Sequence, residues 1–168
     1  MPPRFVEMKD IQDDTIGDMV ELIVPLRSYA MSLTRNISDA DDLVQETLVK
    51  AIARVSHFTP GTSLRAWLFT IMRNTFLNSL RKWKHETTGA EDCVSDTATD
   101  IPRQEFHVLG QELIQIINAL PARYREMLVL VVVLGETYEE AARICGCAVG
   151  TVKSRVNRAR SMVMAAVG

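Results

Sequence analysis

The chain has 168 residues, enough for one domain or two small ones, and 47% of them are hydrophobic, so it can bury a core. Its longest apolar run, Met127 to Leu134, is far short of the roughly 18 residues that suggest a membrane span; the first ten residues hold no signal-peptide core, and a cytoplasmic location is expected. A net charge of −2 speaks against nucleic-acid binding only if it is evenly spread, and it is not: residues 86–106 hold 6 acidic and 1 basic group, residues 107–168 hold 7 basic and 5 acidic.

Residues 1–14 are polar and expected to fray. From Thr15, the spacing of Ile16, Met19, Val20 and Ile23 predicts a helix. Pro25 either starts a new helix at its first position or kinks a longer one, and Leu26, Tyr29, Ala30 and Leu33 carry the pattern on. Asn36-Ile37-Ser38 is a break. Ser38 and Asp41 have capping-box spacing, and Val44, Leu48, Ala51, Ile52 and Val55 predict the buried face of the next helix. Asp41, Asp42, Gln45 and Glu46 form its polar side. The plain reading is a solvated acidic face near the positive end of a helix, with a protein-docking surface next; paired carboxylates also suit acid–base chemistry or a metal.

Pro60-Gly61 marks a loop, and a long helix is expected over about residues 64–84. Leu64, Leu68, Met72, Phe76 and Leu80 make an apolar row. Asn74, Asn78, Arg81 and Lys82 line another, with Arg73 and Lys84 near it. Amide, cationic and aromatic groups together suit single-stranded nucleic acid, where bases stack and phosphates need cations. Trp67 and Phe69 fit either that role or a place in the core. Residues 86–106, acidic and small, read as a linker between two modules. Leu109, Leu113, Ile116, Ile117 and Leu120 predict another helix, ended near Pro121. The run from Met127 to Leu134 has strand propensity, but it finds no partner strand in the chain and helical segments flank it, so a central buried helix is expected.

The C-terminal stretch reads as a helix-turn-helix. Thr137 and Glu140 predict a capped start, and Gly146 supplies a left-handed end. Val149, Val152, Val156, Ala159 and Val163 then draw one apolar stripe. Lys153, Ser154, Arg155, Asn157, Arg158 and Arg160 occupy the rest, with no acidic residue from 141 to 168. A helix with a buried stripe and a basic, hydrogen-bonding outer face suits a DNA major groove. Cys145 and Cys147 lack the second pair that a zinc site needs, and small residues filling a tight turn is the simpler reading. His57, His85 and His107 are isolated. Neither a metal, a cofactor nor an enzyme activity is expected.

These stretches together resemble the bacterial sigma factors of the extracytoplasmic-function type. The resemblance runs from about residue 15 to 165. It is carried by residues 39–51 (DADDLVQETLVKA), 66–76 (AWLFTIMRNTF), 120–126 (LPARYRE) and 150–160 (GTVKSRVNRAR). The wording of residues 61–69 is most similar to the group that drives the general stress response of alphaproteobacteria. The resemblance implies an all-α fold of two small helical modules: sigma domain 2 over 15–85 and sigma domain 4, with the helix-turn-helix, over 107–168, joined by the acidic linker 86–106. It implies that Asp42, Gln45 and Glu46 dock on the clamp coiled coil of the polymerase β′ subunit, with the β flap as a further polymerase contact. Asn74 and Asn78 would hold an unstacked −10 base, with Arg81 and Lys82 near phosphates. Lys153, Ser154, Asn157 and Arg158 would read the −35 element in the major groove, while Thr151, Arg155 and Arg160 sit nearer phosphates. Core RNA polymerase, promoter DNA and an anti-sigma factor are the implied partners. The alternative is a sigma-like decoy that binds an anti-sigma factor without initiating transcription; the retained Lys153, Arg155, Arg158 and Arg160 weigh against it. An ordinary repressor or activator using the helix-turn-helix alone leaves residues 39–84 unexplained.

Overall fold

The computed structural model describes residues 8–87 and 108–168, with side chains over 14–85 and 110–168. The expected linker from residue 88 on, residues 1–7, Cys93 and His107 lie outside the described residues. Eight α-helices, and no strand, occur among the described residues: α1 (Met8–Glu21), α2 (Ile23–Thr34), α3 (Ile37–Ala53), α4 (Leu64–Thr87), α5 (Val108–Ala119), α6 (Ala122–Leu128), α7 (Tyr138–Cys145) and α8 (Val149–Val167).

Several helices begin where local chemistry differs from the simplest sequence pattern. The first helix starts at Met8 rather than at Thr15. Pro25 sits in the first turn of α2, where its missing N–H would have had no intrahelical partner anyway. At the α2–α3 corner Arg35 takes the left-handed conformation, φ 59°, and Asn36 then accepts the Asp39 amide at 3.0 Å. Asn36 is thus the cap of α3, two residues before the expected Ser38. The buried face of α3 is Ala40, Leu43, Val44, Thr47 and Ala51; Ile52, expected inside, is exposed. Thr47 tolerates full burial because its hydroxyl donates to the Leu43 carbonyl at 2.7 Å.

The β-prone run is helical, but it is not a plain α-helix. Past Leu128 the chain widens into a π-helical turn over Val129–Val133, closed by Leu134 N–H to Val129 O at 2.9 Å. Met127, Leu128, Val129 and Leu130 are buried, whereas Val132 and Val133 face outward. The extra residue per turn lets a β-branched run keep its first half in the core while Gly135, at φ 74°, turns the chain toward α7. Leu113, expected on the apolar row of α5, is exposed, since α5 packs chiefly on α8.

The two modules share a core. Tyr29, Leu26, Leu68, Phe69 and Met72 from α2 and α4 lie in one buried cluster with Met127, Leu130, Ile144, Val152 and Val156 from α6 to α8. A smaller cluster of Leu120, Leu128 and Ala159 belongs to the C-terminal module alone. Phe69 is therefore a core residue, fully buried with its ring centroid 4.9 Å from that of Tyr29. Trp67 is half-buried against Phe58, and Trp83 is exposed. No helix among the described residues is long and apolar enough to cross a membrane.

Candidate nucleic-acid interface

The helix-turn-helix forms as its sequence dictates. Thr137 Oγ1 accepts the Glu140 amide at 3.1 Å, which starts α7. Gly146 ends it at φ 62°, with Cys147 N–H reaching Ala142 O at 3.0 Å and Gly146 N–H reaching Arg143 O at 3.3 Å. Cys145 closes the helix and Cys147 lies in the turn, so both small side chains serve the corner. Val152, Val156 and Ala159 of α8 are completely buried, and Val149 and Val163 are half-buried.

That burial decides what α8 can present. Lys153, Ser154, Asn157, Arg158 and Arg160 are exposed, and Thr151 and Arg155 are half-buried. Lys153 extends over the Tyr138 ring at 5.8 Å, a contact that holds its stem against the first helix of the motif. Ser154 donates to Thr151 O at 3.0 Å and must turn over to reach a base edge. Ala148 caps α8 without a side-chain hydrogen bond, a helix start that suits an approaching phosphate. Arg155, half-buried, also borders a groove between the modules.

On α4 the same segregation recurs. Leu68, Met72 and Thr75 are buried, and Asn74, Asn78, Arg81 and Lys82 are all exposed along the opposite side. Asn78 Oδ1 accepts from Arg81 at 3.2 Å, so the amide and the cation sit side by side. On α3, Asp42, Gln45 and Glu46 are exposed; Glu46 pairs with Lys50 at 2.6 Å, and Asp41 pairs with Arg27 at 2.8 Å. Asp42 and Glu46, four residues apart, share one helical face.

One polar centre had no signal in the sequence pattern. Glu126 Oε1 accepts from the Tyr29 hydroxyl and from Arg73 Nε, each at 2.8 Å. Burial, reinforced by the Glu126 charge, raises the Tyr29 hydroxyl well above its ordinary pKa, so it stays a donor. Burial alone would lower the Arg73 pKa, but the adjacent carboxylate outweighs it and the net shift is upward. A second link joins Arg65 to Glu136 at 2.6 Å and to the Leu134 carbonyl. Burial raises the Glu136 carboxyl against the opposing pull of Arg65. In the sequence, Arg73 reads as a neighbour of the amide and cationic row of α4 and Glu126 as the end of the stretch 120–126, with nothing to pair them.

Two family models match, Sigma-70 region 2 over residues 21–86 and Sigma-70 region 4 over residues 110–163. The chain is 46% identical over 155 residues to the ECF RNA polymerase sigma factor EcfG of Rhodopseudomonas palustris (strain TIE-1), covering 92% of this chain and 86% of that protein. Among solved structures it is similar to the sigma factor RpoE in complex with the anti-sigma factor NepR from Bartonella quintana. That likeness has a TM-score of 0.78 and 38% identity, over 92% of this chain and 96% of the other. It is also similar to CnrH in complex with the cytosolic domain of CnrY, with a TM-score of 0.64 and 27% identity over 90% and 86% of the two chains. With both regions matched and the EcfG likeness spanning nearly the whole length, the chain belongs to the extracytoplasmic-function family of RNA polymerase sigma factors, the promoter-specificity factors of transcription initiation.

Proposed function

We propose that this sigma factor divides promoter recognition between two modules, sigma domain 2 over 15–85 and sigma domain 4 over 107–168, joined by residues 86–106. Asp42, Gln45 and Glu46 dock on the β′ clamp coiled coil. Asn74 and Asn78 capture an unstacked −10 base, with Arg81 and Lys82 on neighbouring phosphates. Lys153, Ser154, Asn157 and Arg158 read the −35 duplex, with Thr151, Arg155 and Arg160 toward its backbone. The observation that carries this reading is the segregation on α8 and α4: the apolar stripes are buried, and most of the polar and cationic side chains stand clear of the fold. The factor works in the cytoplasm and needs no catalytic group of its own. Its likeness to EcfG suggests general stress-response promoters, and its likeness to RpoE bound to NepR suggests restraint by an anti-sigma factor.

Run-off transcription tests the whole reading. With core polymerase and a template carrying a GGAAC-type −35 element and its −10 partner, a transcript is expected only when this chain is added. Silence beside an active sigma control would move the reading to a decoy that titrates an anti-sigma factor. Two substitutions test the sites separately. Arg158→Ala is expected to weaken −35 duplex binding by about 1–3 kcal/mol and to relax selectivity at one base pair. Unchanged affinity in a gel-shift titration would remove Arg158 from the readers. Asn74→Ala is expected to leave −35 binding intact and to slow promoter opening at least roughly tenfold, the loss of about one base contact. Fluorescence of a 2-aminopurine in the −10 element follows that step, and equal opening rates would sink the base-capture role.

A further inference from the structure

Two cations of the helix-turn-helix are held in different ways. Arg143, on α7, pairs with the Glu140 carboxylate at 2.8 Å. Lys153, on α8, lies 5.8 Å from the centre of the Tyr138 ring, and none of the ion pairs among the described residues includes it. The difference matters for a group that must meet DNA. A carboxylate neutralises the cation it holds and must be pushed aside when a phosphate or a base edge arrives. An aromatic face attracts the cation through its quadrupole, leaves the charge in place and keeps the N–H donors free.

The ring is a fixed support. Thr137 caps α7, its carbonyl accepting the Ala141 amide at 2.9 Å, so Tyr138 is the first residue of that helix. The ring is half-buried and packs against the main apolar cluster. Lys153 itself is exposed, but it follows Val152, which is completely buried in the same cluster. Both ends of the contact are therefore anchored, and only the lysine stem is free to move. An unheld lysine swings widely and meets whichever phosphate is near, a contact that carries no sequence information. A stem laid on a ring has lost part of that freedom before DNA arrives, and it reaches DNA from fewer directions.

We infer that Tyr138 is a positioning residue for −35 recognition: its ring holds Lys153 without neutralising it, and so makes a flexible cation selective for one base pair. The inference rests on the reader role proposed above for Lys153. Tyr138 sits on the first helix of the motif, away from the reading residues in the sequence, and acts through Lys153.

Tyr138→Leu tests this, because it keeps an apolar side chain on the cluster and removes the ring. Holoenzyme reconstituted from core polymerase and the full chain is offered competing promoters that differ at single −35 base pairs. Lys153→Ala marks the base pair that Lys153 reads. At that pair Tyr138→Leu is expected to lose roughly two- to fivefold in selectivity, the size of an exposed cation–π contact, and at the others none. Tyr138→Phe keeps the ring face and should match the wild type. In a Lys153→Ala background, Tyr138→Leu should have no further effect. If Tyr138→Leu loses its helical circular dichroism, Tyr138→Met, a ringless side chain that fills irregular space, takes its place. Proton NMR of the wild type reads the contact directly: the Lys153 ε-methylene signals, identified by their loss in Lys153→Arg, should lie upfield of those of the other lysines.

A Tyr138→Phe variant as impaired as Tyr138→Leu would assign the effect to the hydroxyl, and so to a direct contact with DNA, and overturn the inference. Equal losses from Tyr138→Leu with and without Lys153 would assign it to packing of the helix pair and overturn it too. So would unshifted Lys153 signals, or intact selectivity in Tyr138→Leu beside reduced selectivity in Lys153→Ala. Failure of the underlying reader role looks different: Lys153→Ala would itself discriminate every base pair like the wild type. That result overturns the positioning role as well, while the NMR shift still reports the ring contact.

Discussion

Arg125→Ala is expected to lower the unfolding free energy by about 3–5 kcal/mol, a large effect for one polar substitution. Arg125 is 3% exposed, yet it is a guanidinium in the interior. Its Nε donates to Ser32 O at 2.7 Å, and its Nη1 donates to Leu120 O at 2.7 Å and Asn118 O at 3.1 Å. Ser32 lies in the last turn of α2, and Asn118 and Leu120 lie at the end of α5. Carbonyls there have no intrahelical amide partner and carry the negative end of the helix dipole. A cation placed where two such ends converge is held by both, and it joins the two modules as it does so. Alanine strips the donors from all three carbonyls and opens a void. Arg125→Lys keeps the charge but not the fork that spans both helix ends, and it should recover only part of the loss. Urea unfolding followed by helical circular dichroism measures the difference. A loss below about 1 kcal/mol, the size of one ordinary hydrogen bond, would show that water or neighbours replace the guanidinium.

Asp42→Lys combined with Glu46→Lys is expected to weaken core polymerase binding at least roughly a hundredfold and to abolish run-off transcription at limiting factor, because close charge pairs at protein interfaces couple by several kcal/mol. The fold should survive the change. Both residues are exposed, and the Glu46–Lys50 pair that is lost is a surface i,i+4 contact worth about 0.3–0.5 kcal/mol. An unaltered unfolding midpoint beside a collapsed affinity therefore assigns the effect to docking. Charge reversal should act mainly on the association rate and should flatten its salt dependence. Tight binding by the doubly substituted chain would return this face of α3 to the solvated acidic surface that its composition first suggests.

Chemistry confined to a few neighbouring residues was legible in the chain. Thr137 and Glu140 lie three residues apart, and the amide of one meets the hydroxyl of the other regardless of the rest of the fold. The left-handed turn at Gly146 and the buried stripe of Val152, Val156 and Ala159 are of the same kind. The exposure of Asn74, Asn78, Lys153 and Arg158 follows, because a helix that buries one face must offer the other. Where two local solutions compete, the pattern misleads. Ser38 with Asp41 and Asn36 with Asp39 both have cap spacing, and the left-handed Arg35 chooses Asn36 by turning the chain one step earlier.

Helices throughout the described residues, a helix-turn-helix and the polar helical faces are written locally in the chain, because they follow from contacts three or four residues apart. Long-range packing, by contrast, puts Phe69 in the core, leaves Val132 and Val133 facing out and brings Arg155 to the groove. It alone joined Glu126 to Tyr29 and Arg73, and Arg125 to Ser32, across separations of 97, 53 and 93 residues. Polar groups so far apart leave no period in the chain. They become partners only when packing removes water from both, and from then on each must satisfy the other.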